Sequence, residues 1–302
     1  MDNRREFLGK LAGTLAGLTI APATLSAATA CTAAANPRNG TRAGTVAGTA
    51  GATKLARVGI QLYTVRRDFT ADPAATLAAI AAIGYKDVEF AGYGGKTAVE
   101  IRDLLKQHGL GSPSTHIGLN VIMANPAKTF DDAKTIGHQW VTAPSLPSGA
   151  KATVDDWKRI ADQFNAAGKE AKAAGLRFAF HNHNAEFRKI GDVVPMEVLL
   201  ANTDPALVDY EMDLYWVVNG GGDPIDLLTR YRGRFRMLHA KDSAGAPDHK
   251  MVEVGAGTID FKSILARATK DGIRNVFVEH DNPPAPMGSA RASYTYLSSL
   301  EF

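Results

Sequence analysis

The sequence predicts a single (β/α)8 TIM barrel over residues 55–302, and three observations predict it. Short apolar runs alternate with amphipathic segments, the pattern of a parallel sheet covered by helices. Eight such units in roughly 250 residues match a closed barrel in size. No Gly-rich phosphate loop follows the first run, where an open doubly wound sheet would carry one; Gln61-Leu62-Tyr63-Thr64 stands there instead.

The elements read as follows in chain order. Val58 to Tyr63 is the first strand. A helix runs from Pro73 to Ile83, with Asp72 as N-cap, Pro73 at the first helical position and Gly84 at the stop. Asp87 to Phe90 is the second strand, and Thr97 to His108 a helix closed by Gly109. Ser112 to His116 is a weaker third strand. A helix from Pro126 to Ile136 leads to the fourth strand, Gln139 to Ala143. The long amphipathic segment from Thr153 to Ala174 stops at Gly175. The fifth strand ends in His181, the sixth in Asp213 and the seventh in His239, with helices near 194–202 and 224–231 between them. After a loop rich in Gly, Ala and Pro come a helix over 259–270, an eighth strand ending in Glu279 and a last helix near 288–300. The run Asn219-Gly220-Gly221-Gly222-Asp223 lacks the spacing of a dinucleotide fingerprint and reads as a loop.

Residues before the barrel have another character. Arg4-Arg5-Glu6-Phe7-Leu8 opens a positive segment, a mild apolar run reaches Leu25, and small residues follow to Ala30. This predicts a twin-arginine-type signal peptide over residues 1–30, a flexible linker over 31–54 and a periplasmic protein. An ordinary secretory signal with two chance arginines is the alternative. Lipid anchoring at Cys31 is disfavoured, because Ala28-Thr29-Ala30 lacks the Leu of a lipobox. The twin-arginine route carries folded cargo, so a metal can be loaded before export. That matters because site affinity alone favours copper and zinc over manganese or iron.

The formal charge is +3, and Arg4, Arg5 and Lys10 of the leader contribute to it against Asp2 and Glu6. No basic stripe with interleaved aromatics is present, so no nucleic-acid partner is expected. Beyond the leader no run is long and apolar enough to span a membrane. The one cysteine lies outside the barrel, which excludes a disulfide within it.

The chemistry concentrates where strands stop. His181, Asp213, His239 and Glu279 each end an apolar run, and strand C-termini of a barrel converge on one mouth. One imidazole–carboxylate set of this kind suits a single Mn, Co, Fe or Zn ion, whereas Mg or Ca prefers all oxygen. His183 shares the strand face of His181, so either could be the ligand from that strand. Glu89 and His116, ending the second and third strands, read as substrate-binding residues, with Glu89 alternatively joining the metal. Lys241 points the same way as His239 and reads as a proton carrier or oxyanion partner, or as a rim lysine paired with Asp242 or Glu253. Glu186 reads as more exposed, positioning His183. Tyr215 and Trp216 offer a flat wall for a sugar face or a packing surface. His108, His138 and His249 receive no role.

These residues resemble the sugar phosphate isomerase/epimerase superfamily, the xylose isomerase-like TIM barrels, over about residues 55–300. The resemblance rests on His181-Asn182-His183 with Glu186-Phe187, Met212-Asp213-Leu214-Tyr215-Trp216, His239-Ala240-Lys241-Asp242 and Val278-Glu279. It implies a carboxylate ligand on a middle strand, then Asp, His and Glu on later strands. The superfamily's Glu-Asn-His, set on His181-Asn182-His183, puts His181 in the ligand place. Epimerases of the superfamily use two metal-bound glutamates as opposed bases. With histidine in one place, Glu279 is left as the single such base, beside His183 and Lys241. A similar exported branch carrying His-Asn-His is associated with eliminating or hydrating 3-keto-glycosides. The expected function is therefore a metal-dependent carbohydrate isomerase, epimerase or lyase that abstracts a proton α to a carbonyl from a small-molecule carbohydrate. An apurinic-endonuclease-like nuclease, which needs three metals and a DNA-binding rim, is the first rival. A non-catalytic periplasmic sugar binder is the second.

Overall fold

The computed structural model describes residues 53–302 except 148 and 150. The expected leader and the linker up to residue 52 lie outside the described residues. Thr53, assigned to the linker by its composition, instead exchanges two backbone hydrogen bonds of 2.9 Å with Phe302.

Eight parallel strands form the sheet: β1 (Gly59–Gln61), β2 (Asp87–Glu89), β3 (Ser114–His116), β4 (Trp140–Ala143), β5 (Arg177–His181), β6 (Val208–Asp213), β7 (Phe235–Ala240) and β8 (Asn275–Val278). Their order is β2-β1-β8-β7-β6-β5-β4-β3. The ends meet through parallel bridges Asp87↔Gly111 and Phe90↔Thr115, with His116 N–H donating to Phe90 O at 2.7 Å. That closes the TIM barrel.

The helices begin where local chemistry places them. Asp72 accepts from Ala75 N–H and Pro73 starts the helix Pro73–Ile83. Thr97 with Glu100, and Thr153 with Asp156, form reciprocal capping boxes for Ala98–His108 and Val154–Ala173. Gly168 in the latter helix lies against the Leu207 backbone, where a Cβ would fall 2.6 Å from the carbonyl oxygen. Among the described residues no helix is long and apolar enough to cross a membrane.

The apolar sheet face turned to the helices carries most of the core, including Val88, Phe178, Phe180 and Leu238. Inside the barrel, Ala179, Met237 and Phe277 form a separate apolar cluster with Trp140 packed on it. Each of the three lies two residues before His181, His239 or Glu279, so period two puts them on the inward face below those groups. Gly59 makes room for Phe277, because a Cβ there would sit 2.5 Å from the ring. The inside is thus apolar at depth and ionisable toward the mouth.

Five short helical pieces were not expected: Leu62–Val65, Arg66–Ala71, Leu119–Ala124, Ala185–Phe187 and Leu214–Asn219. The loop after β7 also contains a two-stranded hairpin, Asp242–Ser243 with Met251–Val252. Asp242 organises it by accepting from the N–H groups of Ser243, Gly255, Gly257 and Ile259.

Candidate active site

The strand ends bring His181, Asp213, His239 and Glu279 together, with one ligand atom of each lying within 4.8 Å of the others. All four are buried. His181 Nε2 is 3.2 Å from Asp213 Oδ2, and His239 Nδ1 is 2.7 Å from Glu279 Oε2. Two imidazoles and two carboxylates with no thiol fit a divalent Mn, Fe, Co or Zn ion.

Local structure aims each group. Asp213 ends β6 and caps the helix Leu214–Asn219: its Oδ1 accepts from Trp216 N–H at 2.9 Å, which turns Oδ2 toward His181. Asn182 fixes the same residue from the neighbouring strand, accepting from Asp213 N–H at 3.0 Å. In His181-Asn182-His183 the two imidazoles therefore serve the cavity while the amide holds β6.

Lys241 is 2% exposed. Its Nζ stands 2.8 Å from Glu279 Oε2, 3.0 Å from Asp213 Oδ2 and 2.7 Å from Asp281 Oδ1. The rim alternative with Asp242 or Glu253 is thus corrected. Burial alone would lower the ammonium, but the carboxylates of Asp213, Glu279 and Asp281 outweigh it and hold it well above the usual lysine range. Burial alone would raise Glu279, yet Lys241 and His239 hold it well below the usual carboxylate range.

His183 and His181 both face a cavity of about 390 Å3 that Tyr63, Lys241 and Asp281 also line. The His183 ring lies 5.4 Å from that of Trp216. Burial lowers its imidazole below the usual range. Glu186, expected to be exposed, is fully buried, accepts from His183 N–H at 3.0 Å and is pushed up to about 7 by burial. Its loop packs under Gly220 and Gly222, where side chains would strike Phe187. Tyr215 turns away from the cavity and donates to His249 O at 2.8 Å.

Glu89 lies below the cavity, whereas His116 reaches its wall. They join His239 and a residue the sequence reading missed, Glu211, in a second buried group. Glu211 stands two residues before Asp213 on β6, and the period of a strand could have shown that both face inward. Asp281 was also missed as a partner of Lys241. A larger cavity, about 860 Å3, lies at the opposite end of the barrel near Arg57, Gln139 and Arg274, away from all these groups.

The family model described as xylose isomerase-like TIM barrel matches residues 77–299. An inosose dehydratase of Lacticaseibacillus casei is 27% identical over 167 residues, 49% of this chain and 55% of that protein; the chain thus spans about half of that relative's length. A sugar phosphate isomerase/epimerase structure from Parabacteroides distasonis superimposes with a TM-score of 0.72 at 25% identity, covering 81% of this chain and 98% of that one. The structure of an IOLI protein with a bound zinc atom shares the fold, with a TM-score of 0.65 at 15% identity over 79% of this chain and 95% of that one. The chain belongs to the xylose isomerase-like TIM barrel family.

Proposed function

We propose that this chain is a divalent-metal-dependent enzyme that abstracts a proton α to a carbonyl of a carbohydrate, and that elimination from a 3-keto-glycoside is the form of this reaction its mouth suits best. Isomerase, epimerase and lyase share the first step. The observation that carries the proposal is the convergence of His181, Asp213, His239 and Glu279 beside Lys241 on a cavity of about 390 Å3, a volume in the small-molecule range.

Those four side chains would hold the cation. Bound there, a divalent ion supplies Lewis-acid polarisation of a carbonyl oxygen. The remaining work falls to the chain's own groups. Lys241, held protonated by three carboxylates, stabilises negative charge on an enolate-type oxygen. Glu279 is tied to Lys241 and His239, so it is a poor base. Among the described residues, no protein group hydrogen-bonds the ring nitrogens of His183, and the ring faces the cavity. His183 is therefore assigned to take the α proton, replacing Glu279 in that role. Glu186 and Trp216 hold His183 in place. Trp216 packs on that ring, and its part in substrate binding is as a wall beside it. His116 reaches the cavity and binds substrate from below.

The neighbouring cavity supports a two-part substrate. It measures about 400 Å3, shares Ala91 and His116 with the first, and is lined by Tyr93, Ile117 and Val121. A ring in the first cavity would direct an aglycone into the second. The inosose dehydratase relatives and the zinc of the IOLI structure support dehydration-type chemistry and a divalent cation.

The test offers metal-loaded and chelated protein a panel of ketoses, cyclic polyol ketones, 3-keto-glycosides and abasic DNA. Metal-dependent turnover of the keto-sugars, with aglycone release from the 3-keto-glycosides, is expected. Cleavage of abasic DNA without sugar turnover would establish the nuclease instead, and stoichiometric metal with no turnover would establish a binder.

A further inference from the structure

We propose that Glu89, His116, Glu211 and His239 form a second divalent-cation site, one layer deeper in the barrel than the site at the mouth and sharing His239 with it.

Two imidazole nitrogens and two carboxylate oxygens converge there. His239 Nε2 lies 2.7 Å from Glu89 Oε2 and 3.2 Å from Glu211 Oε2. His116 Nε2 lies 3.1 Å from Glu89 Oε2 and 2.7 Å from Glu211 Oε2. The four atoms alternate nitrogen and oxygen around a closed ring. Donors sharing a first-row ion at about 2.0–2.2 Å lie roughly 3–3.5 Å apart; two of the four separations fall in that range and the other two are shorter, at 2.7 Å.

Hydrogen bonding accounts for the two 2.7 Å contacts, His116 to Glu211 and His239 to Glu89, and leaves the 3.1 and 3.2 Å contacts without a proton of their own. Each nitrogen carries one proton at most, so two N–H groups face four contacts. Glu89 Oε2 is crowded further by Gln61 Nε2 at 2.7 Å. Meanwhile Glu89 Oε1 and Glu211 Oε1 are buried without any partner, on side chains that are 0% exposed. Buried carboxylate oxygens of this kind normally find a donor or a metal. An ion among the four donors would draw one oxygen of each glutamate inward, as observed, and the bare oxygens are available to it as further ligands.

The supporting features of a metal site are present. Gln61 Nε2 donates to Glu89 Oε2 itself and so fixes that carboxylate, as hydrogen-bond partners of metal ligands commonly do. His116 borders both the cavity at the mouth and the deeper group. The donor set is imidazole and carboxylate without thiolate, so the ion class is Mn, Fe, Co or Zn. His239 offers Nδ1 to the upper group and Nε2 to the lower. If both sites were filled, the ring would offer one nitrogen to each ion and release its N–H protons to solvent.

Metal stoichiometry tests this without reference to any substrate. The full chain is stripped with chelator and titrated with Co2+, which is read by elemental analysis and by its visible absorption. Two equivalents are expected for the wild type, one for Glu211→Gln, one for Glu89→Gln and one for Asp213→Asn. Glu211→Asp should restore the second equivalent at least in part. Circular dichroism of each variant separates lost ligation from lost folding, and loss of the upper site alone shows as the Asp213→Asn result. One equivalent in the wild type, unchanged by Glu211→Gln, would overturn the proposal; so would two equivalents that survive both glutamate variants.

Discussion

The Lys241 ammonium stands 2.8 Å from Glu279 Oε2, a ligand of the mouth's proposed cation site. It also contacts Asp213 there. A cation and the ammonium therefore repel each other while sharing carboxylates. Lys241→Met should tighten Co2+ or Mn2+ binding, on the order of tenfold for a nearby unit charge removed from a screened site. Turnover should fall about 100-fold or more, because the enolate oxygen loses its partner. Isothermal titration and steady-state kinetics read the two effects. Weaker metal binding in this variant would show that Lys241 supports the ion rather than competing with it.

His183 carries the proton-transfer role. His183→Asn should lower turnover by roughly 10²–10⁴, the range for a general base, while leaving metal content unchanged. The unaltered metal content separates a base from a ligand. Lost metal in this variant would place His183 in the ligand set, an alternative its position beside His181 allows.

The barrel order and the mouth groups were legible for a simple reason. Strands buried on both faces read as near-continuous apolar runs, so His181, Asp213, His239 and Glu279 stand out where those runs stop. Asp72, Thr97 and Thr153 marked helix starts just as plainly. Glu211 was harder, since one charge between Tyr210 and Met212 looks like an interruption in a strand. Leu214–Asn219 was missed as a helix because its apolar residues continue the strand's pattern. The burial of Glu186 depends on glycines more than thirty positions later, and that of Lys241 on three carboxylates from two other strand ends. Neither convergence is visible in local sequence.

His138 allows a pH prediction away from the site. It is buried, donates Nδ1–H to Ser112 O at 2.8 Å, and is stacked on Tyr93. Burial pushes its imidazole down to about 4. The unfolded chain takes up this proton near the ordinary value of about 6.5. Its contribution to stability is thus fully present above about 6.5 and is lost as pH falls toward about 4, by up to roughly 3 kcal/mol. Urea unfolding at pH 7.5 and pH 5 should show a smaller difference for His138→Gln than for the wild type. Equal differences would remove His138 as a contributor.

Export by the twin-arginine route is proposed from Arg4 and Arg5. Replacing both with Lys should leave the full-length protein in the cytoplasm, as judged by fractionation. Undiminished export of the double variant would point to the general secretory route.

Solvent isotope incorporation tests the central claim most directly. With a keto-sugar substrate in deuterium oxide, recovered substrate, or an isomerised or epimerised product, should carry deuterium on the carbon α to the carbonyl, and only when metal is bound. His183→Asn should suppress that incorporation together with turnover. For a ketose whose product keeps a hydrogen on that carbon, turnover without deuterium there would contradict proton abstraction and indicate a hydride shift instead.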